Sequence, residues 1–128
     1  MSKEVLADTS VWIEFFKPGS PVGNHLEVLI GKNSVIVCGI VLFELLQGVK
    51  SEAEKAKISC ILTTLPYIEM TEQLWRQAAL LSVSLRKKGI TVPLSDILIS
   101  SLAIENVLPI FALDQHFEQI PGVRLYKI

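Results

Sequence analysis

Val5-Leu6-Ala7-Asp8-Thr9-Ser10-Val11-Trp12-Ile13-Glu14-Phe15-Phe16 is the stretch on which the fold turns. Three apolar residues stop abruptly at a carboxylate followed by two hydroxyls, and a second apolar run begins. That pattern is a short buried strand, a turn and a helix, so Asp8 closes a strand. Outward from it, Lys17-Pro18-Gly19-Ser20-Pro21 reads as a loop and residues 22–30 as a helix, before Gly31-Lys32-Asn33 turns the chain. Residues 34–38 read as a second buried strand, broken by Gly39. Residues 40–48 have helical length, carry Glu44 inside, and end on Gly48, where a left-handed cap costs least. Residues 51–64 are charged first and apolar later, as in a helix, and 65–70 hold a proline and then a short strand.

Thr71 is a plausible N-cap for the next element. Leu74, Ala78, Leu81 and Leu85 form one face of an amphipathic helix that ends at Arg86-Lys87-Lys88-Gly89, a basic terminus suited to the helix dipole. Pro93-Leu94-Ser95 opens an almost wholly apolar helix from Asp96 to about Glu105. A strand over 109–113, closed by Asp114, and a last short strand over 123–126 complete the chain. No internal repeat or interdomain linker interrupts it. Continuous apolar strands alternating with helices imply a parallel sheet covered on both faces. The expected fold is an α/β three-layer sandwich, with ligands bound beyond the carboxyl ends of the strands, where Asp8 and Asp114 stand.

The 128 residues fit one domain, residues 1–128. Half are hydrophobic, 20% are charged, and mean hydropathy is +0.47, which excludes a disordered chain. Lys and Arg number 12 against 13 Asp and Glu, a formal charge of -1, so no bulk positive field advertises a nucleic acid and any such partner must be held locally. Cys38 and Cys60 form no CxxC pair and suit a reducing cytoplasm. Met1-Ser2-Lys3-Glu4 lacks the apolar stretch of a signal peptide, and the longest apolar or glycine run, 35–43, is about half a membrane span. A cytoplasmic protein with no membrane partner is expected.

Four acids are embedded in or abut apolar runs: Asp8 after Leu6-Ala7, Glu44 between Phe43 and Leu45, Asp96 before Ile97-Leu98, and Asp114 after Ala112-Leu113. An unpaired charge in such a place is penalised by desolvation and needs a cation, hydrogen bonds or a proton. Each alone could be a helix cap or the partner of a distant Lys or Arg. Together, two at strand ends and two on helices fed by such strands, they suggest one shared site. Two carboxylates about 5 Å apart repel by roughly 3 kcal/mol at an effective dielectric of 20, and four acids make several such pairs. All-oxygen ligation suits Mg²⁺ or Mn²⁺, one or two ions, and a hard cation among carboxylates suits phosphoryl chemistry.

At these residues the sequence resembles a PIN-domain ribonuclease, more narrowly the toxin of a VapBC-type toxin-antitoxin pair. Four motifs spread over nearly the whole chain carry the resemblance: Leu6-Ala7-Asp8-Thr9-Ser10-Val11-Trp12-Ile13-Glu14, Gly39-Ile40-Val41-Leu42-Phe43-Glu44-Leu45-Leu46-Gln47-Gly48, Ser95-Asp96-Ile97-Leu98-Ile99 and Ala112-Leu113-Asp114-Gln115-His116-Phe117. Each is weak singly; their order and spacing make the combination specific. The resemblance implies a PIN-like α/β/α sandwich and Mg²⁺- or Mn²⁺-dependent endonucleolytic cleavage of RNA by Asp8, Glu44, Asp96 and Asp114. Asp8 and Asp96 would touch metal directly. Glu44 would bind metal directly or through water and orient the attacking water, and Asp114 would hold a second ion or act one shell out. Thr9 and Ser10 resemble the hydroxyl residues that support such a site, although strand-end hydroxyls also cap helices. Where many relatives carry a hydroxyl residue this chain has Ala112, which bears on the second metal position, and Ser100 replaces a commoner small apolar residue.

The resemblance also implies an antitoxin that wraps the protein and blocks the acidic cleft, with a basic side chain among the carboxylates, and a homodimer whose paired sites lengthen an RNA groove. Direct DNA binding is not expected. Choice among transfer, ribosomal and messenger RNA is expected from groove shape and loop contacts. Trp12, Phe15 and Phe16 could stack on bases, but their apolar helical context favours packing. His116 and His25 read as surface or packing residues. Arg86, Lys87 and Lys88 could grip RNA phosphates, though such a run more often solvates a helix end.

Rival chemistries fit poorly. A phosphoacceptor receiver would pair acids in the first cluster and place a Lys beyond a later strand. GxSxG, a P-loop and a phosphatase DxD are all missing. A noncatalytic PIN-like RNA- or protein-binding module is the alternative from another class.

Overall fold

The computed structural model describes residues 3–128. Strand β1, Val5–Ala7, is followed at once by α1, Thr9–Phe15, then α2, Pro21–Gly31. Next come β2, Val35–Cys38, α3, Gly39–Gln47, and α4, Glu52–Leu62. Then β3, Tyr67–Ile68, leads to α5, Glu72–Lys87, and α6, Leu94–Glu105, and β4, Ile110–Phe111, is followed by a 3₁₀ turn, Gln115–Gln119. All strand pairings are parallel and the order is β3-β2-β1-β4. Every residue of β1, β2 and β4 is buried, because helices cover both faces of the sheet, giving the α/β sandwich read from the apolar runs.

Side-chain caps fix where the helices begin. Asp8 caps α1, Ser20 caps α2 with proline following, Ser51 caps α4 and Thr71 caps α5, each oxygen accepting from a first-turn N–H. Leu74, Ala78 and Leu85 of the amphipathic stripe are buried. Trp12 is fully buried and packs edge-on against Phe15, 5.4 Å between ring centres, and flat against Phe16 at 6.3 Å. It is a core residue and has no face for a base. No helix among the described residues is long and apolar enough to cross a membrane.

Several boundaries differ from expectation, each for a local reason. Gly48 ends α3 with φ -90°, not in a left-handed cap, because the chain continues right-handed through Val49, whose N–H reaches the Leu46 carbonyl. Gly89, after α5, has positive φ, +75°, as do Gly19 and Gly122. Helix α6 starts at Leu94, two residues before Asp96, with Pro93 at the cap position, so Asp96 lies in its first turn. The expected strand over 109–113 is only Ile110–Phe111, since the Leu113 N–H leaves the ladder for Ser10 Oγ, 3.1 Å away. The expected terminal strand reduces to one parallel bridge, Leu125 to Ile110, because two-residue β4 offers little edge to pair. His25 Nε2 lies 2.7 Å from the Tyr126 hydroxyl and clips this segment onto α2, the packing role read for it.

Candidate active site

Strands β2 and β3 lie on one side of β1 and β4 on the other, so the connection reverses direction between β1 and β4. Open parallel sheets leave a crevice at such a switch point. Asp8 leaves β1 there, and its Oδ2 accepts from the Ser10 hydroxyl at 2.8 Å and the Ser10 N–H at 3.3 Å. The same Ser10 oxygen accepts from the Leu113 N–H, so one hydroxyl ties the end of β1 to the exit from β4. Ser10 does not cap α1; Asp8 does. Thr9 Oγ1 donates to Glu44 Oε1 at 2.6 Å and draws α3 against α1.

Asp96 and Asp114 close the other side. Asp96, 6% exposed, stands where the free N–H groups of α6 favour a negative charge. Asp114 caps the 3₁₀ turn by accepting from the His116 N–H at 3.0 Å. The turn directs His116 Nδ1 to 2.9 Å from both Asp96 Oδ2 and Asp114 Oδ1. His116, 41% exposed, therefore faces the acids, a contact the sequence reading does not assign to it. The tight Asp-x-His spacing after Asp114 was the available signal: an aspartate that caps its own turn carries the residue two places on back toward itself.

Electrostatic neighbours link the acids pairwise, Glu44 with Asp8, Asp8 with Asp96 and Asp96 with Asp114. Burial raises the Asp8 carboxyl above its usual range, opposed by the Ser10 and Thr9 hydrogen bonds and reinforced by Glu44. Burial likewise raises Asp96, where the His116 hydrogen bond opposes and Asp8 and Asp114 reinforce the shift. The Cys38 thiol behind them is pushed up to about 11, by burial first and by Asp8 and Glu44 among the lesser causes. Among the described residues no Lys or Arg pairs with any of the four acids. The desolvated Asp8 and Asp96 carboxylates, with no Lys or Arg beside them, fit a hard divalent ion.

A raised folded-state pKa means that the ionised form of Asp8 or Asp96 opposes folding above that pKa. This destabilisation fades as pH falls through the folded value toward the unfolded one. Metal-free protein in EDTA is expected to lose stability as pH rises from about 4, the unfolded carboxyl value, through the raised values of Asp8 and Asp96, with Mg²⁺ narrowing the loss. A melting temperature that rises steadily with pH in EDTA would contradict this.

The structure leaves the basic run elsewhere. Arg86 and Lys87 end α5 and Lys88 caps it, all exposed, at the turn leading to α6. Phe15 and Phe16 pack on Trp12. Ala112 is half-buried beside the core and Ser100 is fully buried in α6.

A family profile described as PIN domain matches residues 5–123. Ribonuclease VapC2 of Rickettsia felis is 32% identical over 107 residues, covering 80% of this chain and 80% of that protein. VapC ribonuclease Mb1587 of Mycobacterium bovis is 27% identical over 124 residues, 93% of this chain and 92% of its own. The crystal structure of VapBC2 from Rickettsia felis, bound to a DNA fragment from their promoter, superposes with TM-score 0.81 at 26% identity, over 95% of this chain and 96% of the matched one.

Proposed function

Because this chain belongs to the PIN-domain family, we propose that it is a metal-dependent endoribonuclease, the toxin of a toxin-antitoxin pair, with Asp8, Glu44, Asp96 and Asp114 as its catalytic acids. The observation that carries the site is geometric: Asp96 and Asp114 oxygens both lie 2.9 Å from His116 Nδ1 at the switch point, with buried Asp8 at the end of the neighbouring β1. The ribonuclease relatives support RNA as the substrate.

Asp8, Asp96 and Asp114, with Glu44 directly or through water, would hold Mg²⁺ or Mn²⁺. When bound, the ion supplies Lewis acidity toward a phosphate oxygen and the attacking water. The chain's own residues set the geometry. Ser10 engages Asp8 Oδ2 and Thr9 engages Glu44 Oε1, which fixes both carboxylates and lets Glu44 orient a water. The ring of negative charge keeps the anionic RNA backbone out unless a cation accompanies it, so substrate binding and metal binding are coupled. Total RNA incubated with Mn²⁺ is expected to be cut at discrete sites and to stay intact in EDTA. RNA bound but uncut with Mn²⁺ would favour the noncatalytic module.

Two apolar surfaces flank Glu44. A groove of about 320 Å³ between α1, α3 and α4 has Ile13, Phe16 and Ile58 in its walls with Glu44 and Glu54 beside them, which suits an antitoxin segment carrying both apolar and basic side chains. The solved VapBC2 neighbour, a toxin-antitoxin complex, supports such a partner. DNA contact then falls to the antitoxin, since this chain carries a formal charge of -1. On the other side a groove of about 430 Å³ is rimmed by Phe43, Tyr67, Trp75 and Leu94, each at least half exposed. Such a patch on a cytoplasmic protein suits a second copy of the chain, which would align two acidic sites in one longer channel. Sedimentation is expected to show a dimer at micromolar concentration, and Phe43→Glu a monomer; a wild-type monomer would contradict the dimer.

A further inference from the structure

One ring nitrogen, His116 Nδ1, stands 2.9 Å from carboxylate oxygens of two different residues, Asp96 and Asp114. A neutral Nδ1 carries either one proton or one lone pair. With a proton it serves one carboxylate well and the other poorly; with a lone pair it faces two acceptors and satisfies neither. A cation seated among the three atoms resolves this, because an imidazole lone pair and two carboxylates are all ligands. The ligand atoms of Asp96, Asp114 and His116 lie within 4.8 Å of one another, the span of atoms that share one ion. Two of them ride on a single 3₁₀ turn capped by Asp114 itself, and the third comes from the first turn of α6. The triad is thus held by backbone hydrogen bonds on two elements.

We propose that His116 is a direct metal ligand and makes this a mixed nitrogen-oxygen position that selects Mn²⁺ over Mg²⁺. The assignment rests on the metal-dependent reading above. Imidazole suits borderline transition ions, whereas Mg²⁺ favours oxygen and keeps its waters. Asp8 and Glu44, whose hydroxyl partners are Ser10 and Thr9, offer only oxygen and do not discriminate between the ions.

The test is Mn²⁺ binding to the intact metal-free protein, followed by loss of the free-ion EPR signal, with Mg²⁺ measured by competition. Wild type is expected to prefer Mn²⁺ by more than about tenfold. His116→Gln, at a side chain 41% exposed that the fold tolerates, should lose about tenfold or more in Mn²⁺ affinity and under about threefold in Mg²⁺ affinity. Pulsed EPR of the Mn²⁺-loaded wild type should show nitrogen modulation that His116→Gln abolishes, a signature that a purely structural histidine would not give. Tight Mn²⁺ binding without nitrogen modulation, unchanged in the variant, overturns the ligand assignment and leaves the nuclease reading intact. Failure of wild type to bind Mn²⁺ at all, with no RNA cleavage, overturns both.

Discussion

Asp8→Asn is expected to fold and to lose RNA cleavage by at least about 10³-fold, a rise in barrier of about 4 kcal/mol. The carboxamide keeps the shape of the carboxylate, and its oxygen still accepts from the Ser10 N–H, so the cap of α1 survives. What disappears is the charge that holds the ion at the end of β1. Thr9→Val gives the graded comparison. It removes the 2.6 Å bond that fixes Glu44 Oε1 but leaves every carboxylate in place, and is expected to cost about tenfold, the usual scale for a group that orients a ligand. Initial rates on a defined RNA with saturating Mn²⁺ would check both. Asp8→Asn within tenfold of wild type would remove Asp8 from the mechanism.

Gly23→Ala is expected to cost about 3 kcal/mol, about 10 °C in melting temperature for a chain of this size. Helices α1 and α2 meet backbone to backbone at Gly23, where an added Cβ would collide with the Glu14 carbonyl oxygen and stand 2.8 Å from Phe15 Cα. Neither is the movable end of a side chain. The contact is also bonded: the Gly23 N–H donates to Ser20 Oγ at 3.1 Å, and Ser20 donates to Glu14 Oε1 at 2.9 Å. Parting the helices would strain α1, which Asp8 caps, so cleavage should fall together with stability. Gly31→Ala, in the last turn of α2 with open space around it, is the control and should be neutral or stabilising by under about 1 kcal/mol. Thermal melts showing Gly23→Ala within two or three degrees of wild type would refute the close-contact account.

What could be read from sequence divides along the range of the interactions. Asp8, Glu44 and Asp96 were legible because each breaks an apolar run whose buried partners are local, and the parallel sheet followed from Val5-Leu6-Ala7 and Val35-Ile36-Val37-Cys38 having no polar face. Gly23 passed as one helical residue among others, since the chain it nearly touches is eight residues away and its approach depends on how α1 and α2 cross. The last strands were overextended because apolar content over 109–113 and 123–126 does not reveal how much edge a neighbour offers. The contact of His116 with the acids lies beyond local pattern for a related reason. Its place beside Asp96 requires α6 to deliver its first turn to the same crevice as the 3₁₀ turn, twenty residues on in sequence. Ser10, read both as a possible cap and as a hydroxyl supporting the acids, bonds Asp8 and also joins it to Leu113, a link across 103 residues that no local pattern encodes.

The most direct test compares melting temperatures of wild type and an Asp8→Asn/Asp96→Asn variant, each in EDTA and in saturating Mn²⁺. If clustered carboxylates repel one another until an ion intervenes, wild type should gain several degrees with Mn²⁺, while the variant should melt higher than wild type in EDTA and gain little from the ion. Equal gains in both proteins, or a variant that melts lower than wild type in EDTA, would contradict the account.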